Sequence, residues 1–206
     1  MISDERETVL KRLNLSEDVV GKLDVYISFL EQTQSVMNLI ADSTLPVIWT
    51  RHVLDSAQLS GLLKITDKTI LDFGSGAGFP AFVLALMNPD KIFHLTESEG
   101  RKSDFLKEAA LKCGADNIIV HNGRIEKMTP FKVDVITARA LASLDKLTAY
   151  ALPFTDKHTR CLFMKGKKAE EEIKTCLKKF DFDLKKVQSQ TSEEGRILCM
   201  AEVRKK

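Results

Sequence analysis

The sequence predicts an α/β fold: a mainly parallel seven-stranded sheet flanked by helices, with an N-terminal helical extension. Three observations carry that expectation. The first sixty or so residues repeat apolar positions at three- and four-residue spacing and show no strand alternation. From Lys68 onward, short β-rich runs alternate with helix-length segments, as in βαβ units. A glycine-rich turn, Asp72-Phe73-Gly74-Ser75-Gly76-Ala77-Gly78, follows the first of those runs. At 206 residues and 44% hydrophobic content the chain can bury one core plus a modest extension. A single domain is therefore expected, with residues 1–66 as the extension and 67–206 as the α/β core.

In chain order, helix starts are expected at Ser16-Glu17-Asp18 and at Thr44 ahead of Pro46. Between them Val20, Leu23, Ile27 and Leu30 form a stripe that reads as core. The first strand is predicted over 69–73 and the helix after the glycines over 79–87, where Asn88-Pro89-Asp90 ends it. A second strand follows over 91–97 and a helix over 100–113, with Phe105, Leu106, Ala109 and Ala110 on one face. Further strands are predicted over 117–121, 133–137 and 160–165. A charged helix over 169–179 precedes two extended segments, 180–188 and 196–203, that suit a closing antiparallel pair.

Acids and bases nearly balance, at a formal charge of +2, which neither requires nor excludes a nucleic-acid partner. No run approaches the roughly 20 apolar residues of a membrane helix, and the first residues lack a basic segment followed by an apolar one, so a cytoplasmic protein is expected. Cys113, Cys161, Cys176 and Cys199 stand singly and the four histidines are dispersed. Neither a metal site nor a disulfide framework is predicted.

A glycine turn between a strand and a helix lets backbone approach a ligand and presents the N–H groups of the helix start. The spacing is Gly74-x-Gly76-x-Gly78, whereas the dinucleotide fingerprint needs a glycine where this chain has Phe79. Glu97, at the end of the second strand, is placed to accept hydrogen bonds from both ribose hydroxyls of a nucleoside.

The turn and its flanks, Ile70 through Phe79-Pro80, resemble the cofactor loop of the bacterial 16S rRNA guanine-N7 methyltransferases, also called glucose-inhibited division protein B. Asn38-Leu39-Ile40-Ala41, Arg51-His52-Val53-Leu54-Asp55-Ser56, the segment Thr137-Ala138-Arg139-Ala140-Leu141-Ala142-Ser143 and Met164-Lys165-Gly166 resemble further motifs of that family, in order. The resemblance implies a Rossmann-like class I fold and methylation, from S-adenosylmethionine, of guanine N7 in 16S rRNA of the small ribosomal subunit. It also implies that Gly74 and Phe79 line the methionine and ribose side of the cofactor, that Ile125-Glu126 flank the adenine, and that Arg139 contacts the cofactor; Gly76, in the same loop, is expected among the cofactor-binding residues. The chain departs from the family pattern in having Ala81 for a glycine, Glu97 for an aspartate and Arg101-Lys102 for a Lys-Arg pair.

Transfer to a ring nitrogen whose lone pair carries no proton needs no general base, so no catalytic acid or base is assigned. His52 and Asp55 either orient substrate or pack the extension against the sheet. RNA is expected to meet a local basic rim of Arg51, His52, Arg101, Lys102, Lys165, Lys167 and Lys168 on a monomer. Two other readings share parts of the pattern. A methyltransferase for a small molecule or protein leaves the Arg51-His52 and 137–143 segments without a purpose, and a nucleotide-binding oxidoreductase or non-catalytic module conflicts with Phe79.

Overall fold

The computed structural model describes residues 2–206. The extension opens with α1 (Ile2–Leu13) and α2 (Glu17–Gln34). The hydroxyl of Ser16 caps α2 by accepting from the Val19 N–H at 3.4 Å, and Glu17 and Asp18 place negative charge at its N-terminus. The next helical stretch begins at Asp42 rather than Thr44. It runs as a 3₁₀ turn (Asp42–Val47), a π-helical segment (Trp49–Leu54), α3 (Asp55–Ala57) and a second 3₁₀ turn (Ser60–Leu62). Pro46 lies inside the first of these, and Thr44 donates its hydroxyl back to the Ala41 carbonyl at 2.7 Å.

The core consists of β1 (Thr69–Phe73), α4 (Ala81–Met87), β2 (Ile92–Glu97), α5 (Gly100–Cys113), β3 (Ile118–Asn122), β4 (Val135–Arg139), α6 (Leu144–Ala151), β5 (Arg160–Lys165), α7 (Ala169–Cys176), β6 (Phe180–Gln188) and β7 (Arg196–Lys205). Strand order is β3-β2-β1-β4-β5-β7-β6, parallel except for β7, which is antiparallel to both neighbours. The chain winds outward from β1 to β3 and then returns to the middle with β4. A crevice therefore opens between the carboxyl ends of β1 and β4, where open α/β sheets bind ligands.

Several boundaries differ from the periodicity, most by one or two residues; three are notable. β4 is assigned from Val135 rather than 133, although the Asp134 backbone already bonds Thr69 and Arg160, both at 2.9 Å, and its carboxylate accepts the N–H groups of Lys68 and Thr69 at 2.7 and 2.8 Å. α4 begins at Ala81 because the turn persists through Gly78, whose φ is +108°. α7 stops at Cys176, short of Lys179, and the chain turns directly into β6.

Alternation along β1 splits the core into two faces. Ile70 joins a cluster with Phe82, Phe93 and Leu106 that extends into the helical extension through Val9, Leu23, Tyr26, Leu30 and Trp49. Leu71 and Phe73 join Ile136, Leu147, Phe163, Ile173 and Met200 on the other face. Tyr26 stacks on Phe82 with ring centroids 4.2 Å apart and donates its hydroxyl to the Ala77 carbonyl at 2.5 Å, so the extension holds the glycine turn directly.

Candidate active site

The glycine turn connects β1 to α4 with Gly74, Gly76 and Gly78 all at positive φ, a region closed to most side chains. Asp72, fully buried in β1, organises it. Its carboxylate accepts from the Ser75 and Thr137 hydroxyls, both at 2.6 Å, and its carbonyl accepts from the Thr96 hydroxyl at 2.8 Å. Burial lifts the Asp72 carboxyl to about 7, with the two hydroxyls pulling it back down. The residue thus ties β1, β2, β4 and the turn into one unit.

Glu97, buried at the end of β2, accepts the Gly76 N–H on one oxygen and the Glu99 N–H on the other, both at 2.8 Å. Each oxygen keeps a further lone pair for a ligand hydroxyl. Beside it lies a cavity of about 180 Å³ lined by Gly74, Thr96, Ser98, Gly123, Arg124, Ile125, Glu126, Leu141 and Tyr150. Ile125 and Glu126 reach it from a single 3₁₀ turn after β3. A second cavity, of about 860 Å³, opens over the ends of β4 and β5, where Arg51, His52, Asp55, Arg139, Lys165, Lys168 and Arg196 contribute to its wall.

Arg139 ends β4 within a network supplied by the extension. Its guanidinium donates to Asp55 Oδ2 at 3.1 Å, to His52 Nδ1 at 2.8 Å and to the Arg51 carbonyl at 3.3 Å, and it lies 5.1 Å over the Phe79 ring. Since Nδ1 of His52 accepts, Nε2 carries the proton and donates to the Thr44 hydroxyl at 2.8 Å. Burial, then the positive charges of Arg139 and Arg51, push the imidazole down to about 3, so it is neutral near pH 7. Asp55 also accepts from Thr191 on the β6–β7 connection and from Gln58. His52 and Asp55 both face Arg139 and not each other. These contacts support the second of their two sequence readings, fastening the extension to the sheet.

The cofactor residues expected from sequence therefore converge on the carboxyl ends of β1 to β4: Gly74, Gly76, Glu97, Ile125, Glu126 and Arg139. Phe79 lies one layer deeper, 4% exposed, stacked on His52 at 4.8 Å and tilted against Tyr26 at 5.6 Å.

The profile of the rRNA small subunit methyltransferase G (GidB) family matches residues 20–199. The chain belongs to this family. Among similar proteins, the ribosomal RNA small subunit methyltransferase G of Paramagnetospirillum magneticum is 40% identical over 197 residues, covering 96% of this chain and 95% of that one. Its counterpart in Rhodospirillum rubrum is 38% identical over 189 residues, covering 92% and 93%. The fold is that of solved methyltransferases. A SAM-dependent methyltransferase from Aquifex aeolicus superposes with a TM-score of 0.60 at 16% identity, covering 76% of this chain and 93% of that one. TYW2 of M. jannaschii, solved in complex with AdoMet, superposes at 0.56 and 12% identity, covering 75% and 76%.

Within this methyltransferase G chain the expected basic rim divides. Arg51, His52, Lys165 and Lys168 line the larger cavity, whereas Arg101, Lys102 and Lys167 line neither. Arg101 donates to the Val36 carbonyl at 3.2 Å, Lys102 pairs with Glu99 at 2.9 Å, and Lys167 pairs with Glu194 at 3.5 Å. Lys165 is a wall residue whose ammonium is engaged, 2.7 Å from both Glu172 Oε2 and the Ala142 carbonyl. Sequence reasoning passed over Leu141, Tyr150 and Arg196. Leu141 stood inside a quoted motif without a role, Tyr150 arrives on α6 with no local signal, and Arg196 reaches the site only through antiparallel pairing of β7. Among the described residues no helix is long and apolar enough to cross a membrane, and no three His, Cys, Asp or Glu side chains cluster as metal ligands.

Proposed function

We propose that this chain transfers the methyl group of S-adenosylmethionine to N7 of a guanine in 16S rRNA of the small ribosomal subunit, as a cytoplasmic monomer. One observation carries the reading: a small cavity beside Glu97, lined by Gly74, and a larger one with a basic wall meet at Leu141, in the loop that follows Arg139.

The residues suit the cofactor. Glu97 retains lone pairs for the ribose hydroxyls, Ile125 offers an apolar face for adenine, and Gly74 and Gly76 let the backbone come close. Arg139 has N–H groups beyond its three bonds for the carboxylate of the methionine moiety. The bound cofactor supplies an electrophilic methyl group. The chain's own work is positioning, since guanine N7 attacks with a lone pair and no proton need move. The Asp55 and His52 contacts hold Arg139 in place before either reactant arrives, which is how preorganised charge accelerates a reaction. Arg51, Lys168 and Arg196 at the larger cavity would meet RNA phosphates, while Lys165 holds the loop after β4. The same reading treats residues 1–66 and 67–206 as one domain, because one hydrophobic cluster runs through both. A monomer agrees with the most exposed large hydrophobics, Val36, Ile65 and Leu111, belonging to separate segments.

The test is methyl transfer from labelled S-adenosylmethionine to small subunits lacking the modification, with the product nucleoside identified by mass spectrometry. Labelled 7-methylguanosine is expected, falling about a hundredfold or more with Arg139→Ala. Cofactor binding without RNA labelling would leave the fold and move the acceptor to another class of molecule.

A further inference from the structure

The two cavities share one lining residue, Leu141. It sits in the loop between β4 and α6, and its placement is unusual for an apolar side chain. Leu141 is 40% exposed, yet its side chain is folded back onto the glycine turn: a Cβ built on Gly74 would lie 2.5 Å from Leu141 Cδ1. The preceding residue, Ala140, has φ +55°, a conformation that an alanine adopts at a cost. Both flanks are tied down. Arg139 is held by Asp55 and His52, the Ala142 carbonyl accepts from Lys165 Nζ at 2.7 Å, and the Leu144 N–H donates to Glu172 Oε2 at 2.7 Å. The loop is thus fixed at each end, and the left-handed residue directs one apolar side chain over Gly74.

A donor whose adenosine lies beside Glu97 and whose methyl faces the larger cavity must lay its methionine side across Gly74. We infer that Leu141 is the partition between the nucleoside and acceptor cavities, a positioning residue that swings off Gly74 to admit the methionine side of the cofactor. The need to displace it scales the apparent affinity for the full cofactor by the fraction of molecules in which Gly74 is uncovered, and leaves a bare nucleoside much less affected. This inference rests on the proposed cofactor placement.

Calorimetry with S-adenosylhomocysteine and with adenosine tests it, because only the first carries a methionine side that must pass from the nucleoside cavity over Gly74 toward the larger one. In Leu141→Ala the ratio of the adenosine Kd to the S-adenosylhomocysteine Kd should rise about fivefold, and in Leu141→Phe it should fall. An unchanged ratio in both variants, or a fall in Leu141→Ala, overturns the partition and leaves Leu141 as ordinary wall. Since the side chain is partly exposed, both variants should keep the parent's urea midpoint within error, and the ratio from Leu141→Phe stands if the alanine variant does not fold. Glu97→Ala separates the two claims: it should weaken both ligands at least tenfold, and normal adenosine binding there would refute the nucleoside placement itself.

Discussion

At the scale of single residues, Asp72, His52 and His94 show how burial sets the protonation of this chain. His94 Nδ1 lies 2.8 Å from His121 Nε2 in a stacked pair under Phe131, and burial followed by the neighbouring His121 lowers it to about 4. For His52 and His94 the folded values lie below the ordinary 6.5. The unfolded chain then takes up protons that the folded chain refuses, and stability is lost as pH falls from about 6.5 toward 4 for His94 and toward 3 for His52. Asp72 works the other way. Its folded value of about 7 lies above the ordinary 3.8, so its contribution is lost as pH rises through that window. Urea midpoints at pH 4.5 and 6.5 should accordingly show a steeper loss on acidification in Asp72→Asn than in the parent chain, and a shallower one in His94→Phe. Equal slopes in all three proteins would mean these groups are not perturbed.

At the scale of elements, the decisive junction is between α2 and the glycine turn. Gly78 combines φ +108° with a packing limit: a Cβ there would lie 2.7 Å from the Tyr26 hydroxyl and 2.9 Å from Phe82 Cβ. Gly21, in α2, has nothing within 4 Å and no positive φ. The two glycines should respond to alanine in opposite directions. Gly78→Ala is expected to cost about 2 kcal/mol or more through strain and overpacking. Gly21→Ala should stabilise by about 0.5–1 kcal/mol through helix propensity. Urea denaturation measures both, and a neutral Gly78→Ala would show that the turn yields where the packing says it cannot.

At the scale of the whole molecule, a net charge of +2 leaves little long-range attraction for RNA, so binding must come from cations gathered at one place. Arg51, Lys168 and Arg196 meet at the larger cavity, Arg196 with one guanidinium nitrogen already donating to the Glu193 and Gly195 carbonyls at 2.7 Å, while Arg101 and Lys102 lie outside it, the first donating to the Val36 carbonyl and the second paired with Glu99. With so few phosphate contacts, the plot of log affinity for an unpaired rRNA fragment against log salt should be shallow, with a slope of about −2. Lys168→Ala should flatten it by about 0.7, and Lys102→Ala should leave it unchanged. A slope equally sensitive to both would place RNA across the α5 face as well.

Sequence by itself determined whatever depends on neighbours along the chain. The parallel sheet followed from apolar runs spaced by helices, the cofactor turn from glycines at alternate positions, and Glu97 from standing at a strand end where a ligand crevice must open, while Arg139 came from the family resemblance. Family motifs added Ile125-Glu126, which no local pattern marks. Only the tertiary structure decided which side chains are already engaged. Lys165 reads as an open cation until Glu172 arrives from α7, His52 and Asp55 stay undecided between orienting substrate and packing the extension until Arg139 engages both, and Leu141 has no role until the left-handed Ala140 lays it on Gly74. The last two of those outcomes turn on contacts between residues far apart in sequence, and the strand order that sets β4 beside β1 is what creates them, whereas Glu172 reaches Lys165 because α7 folds back over the end of β5.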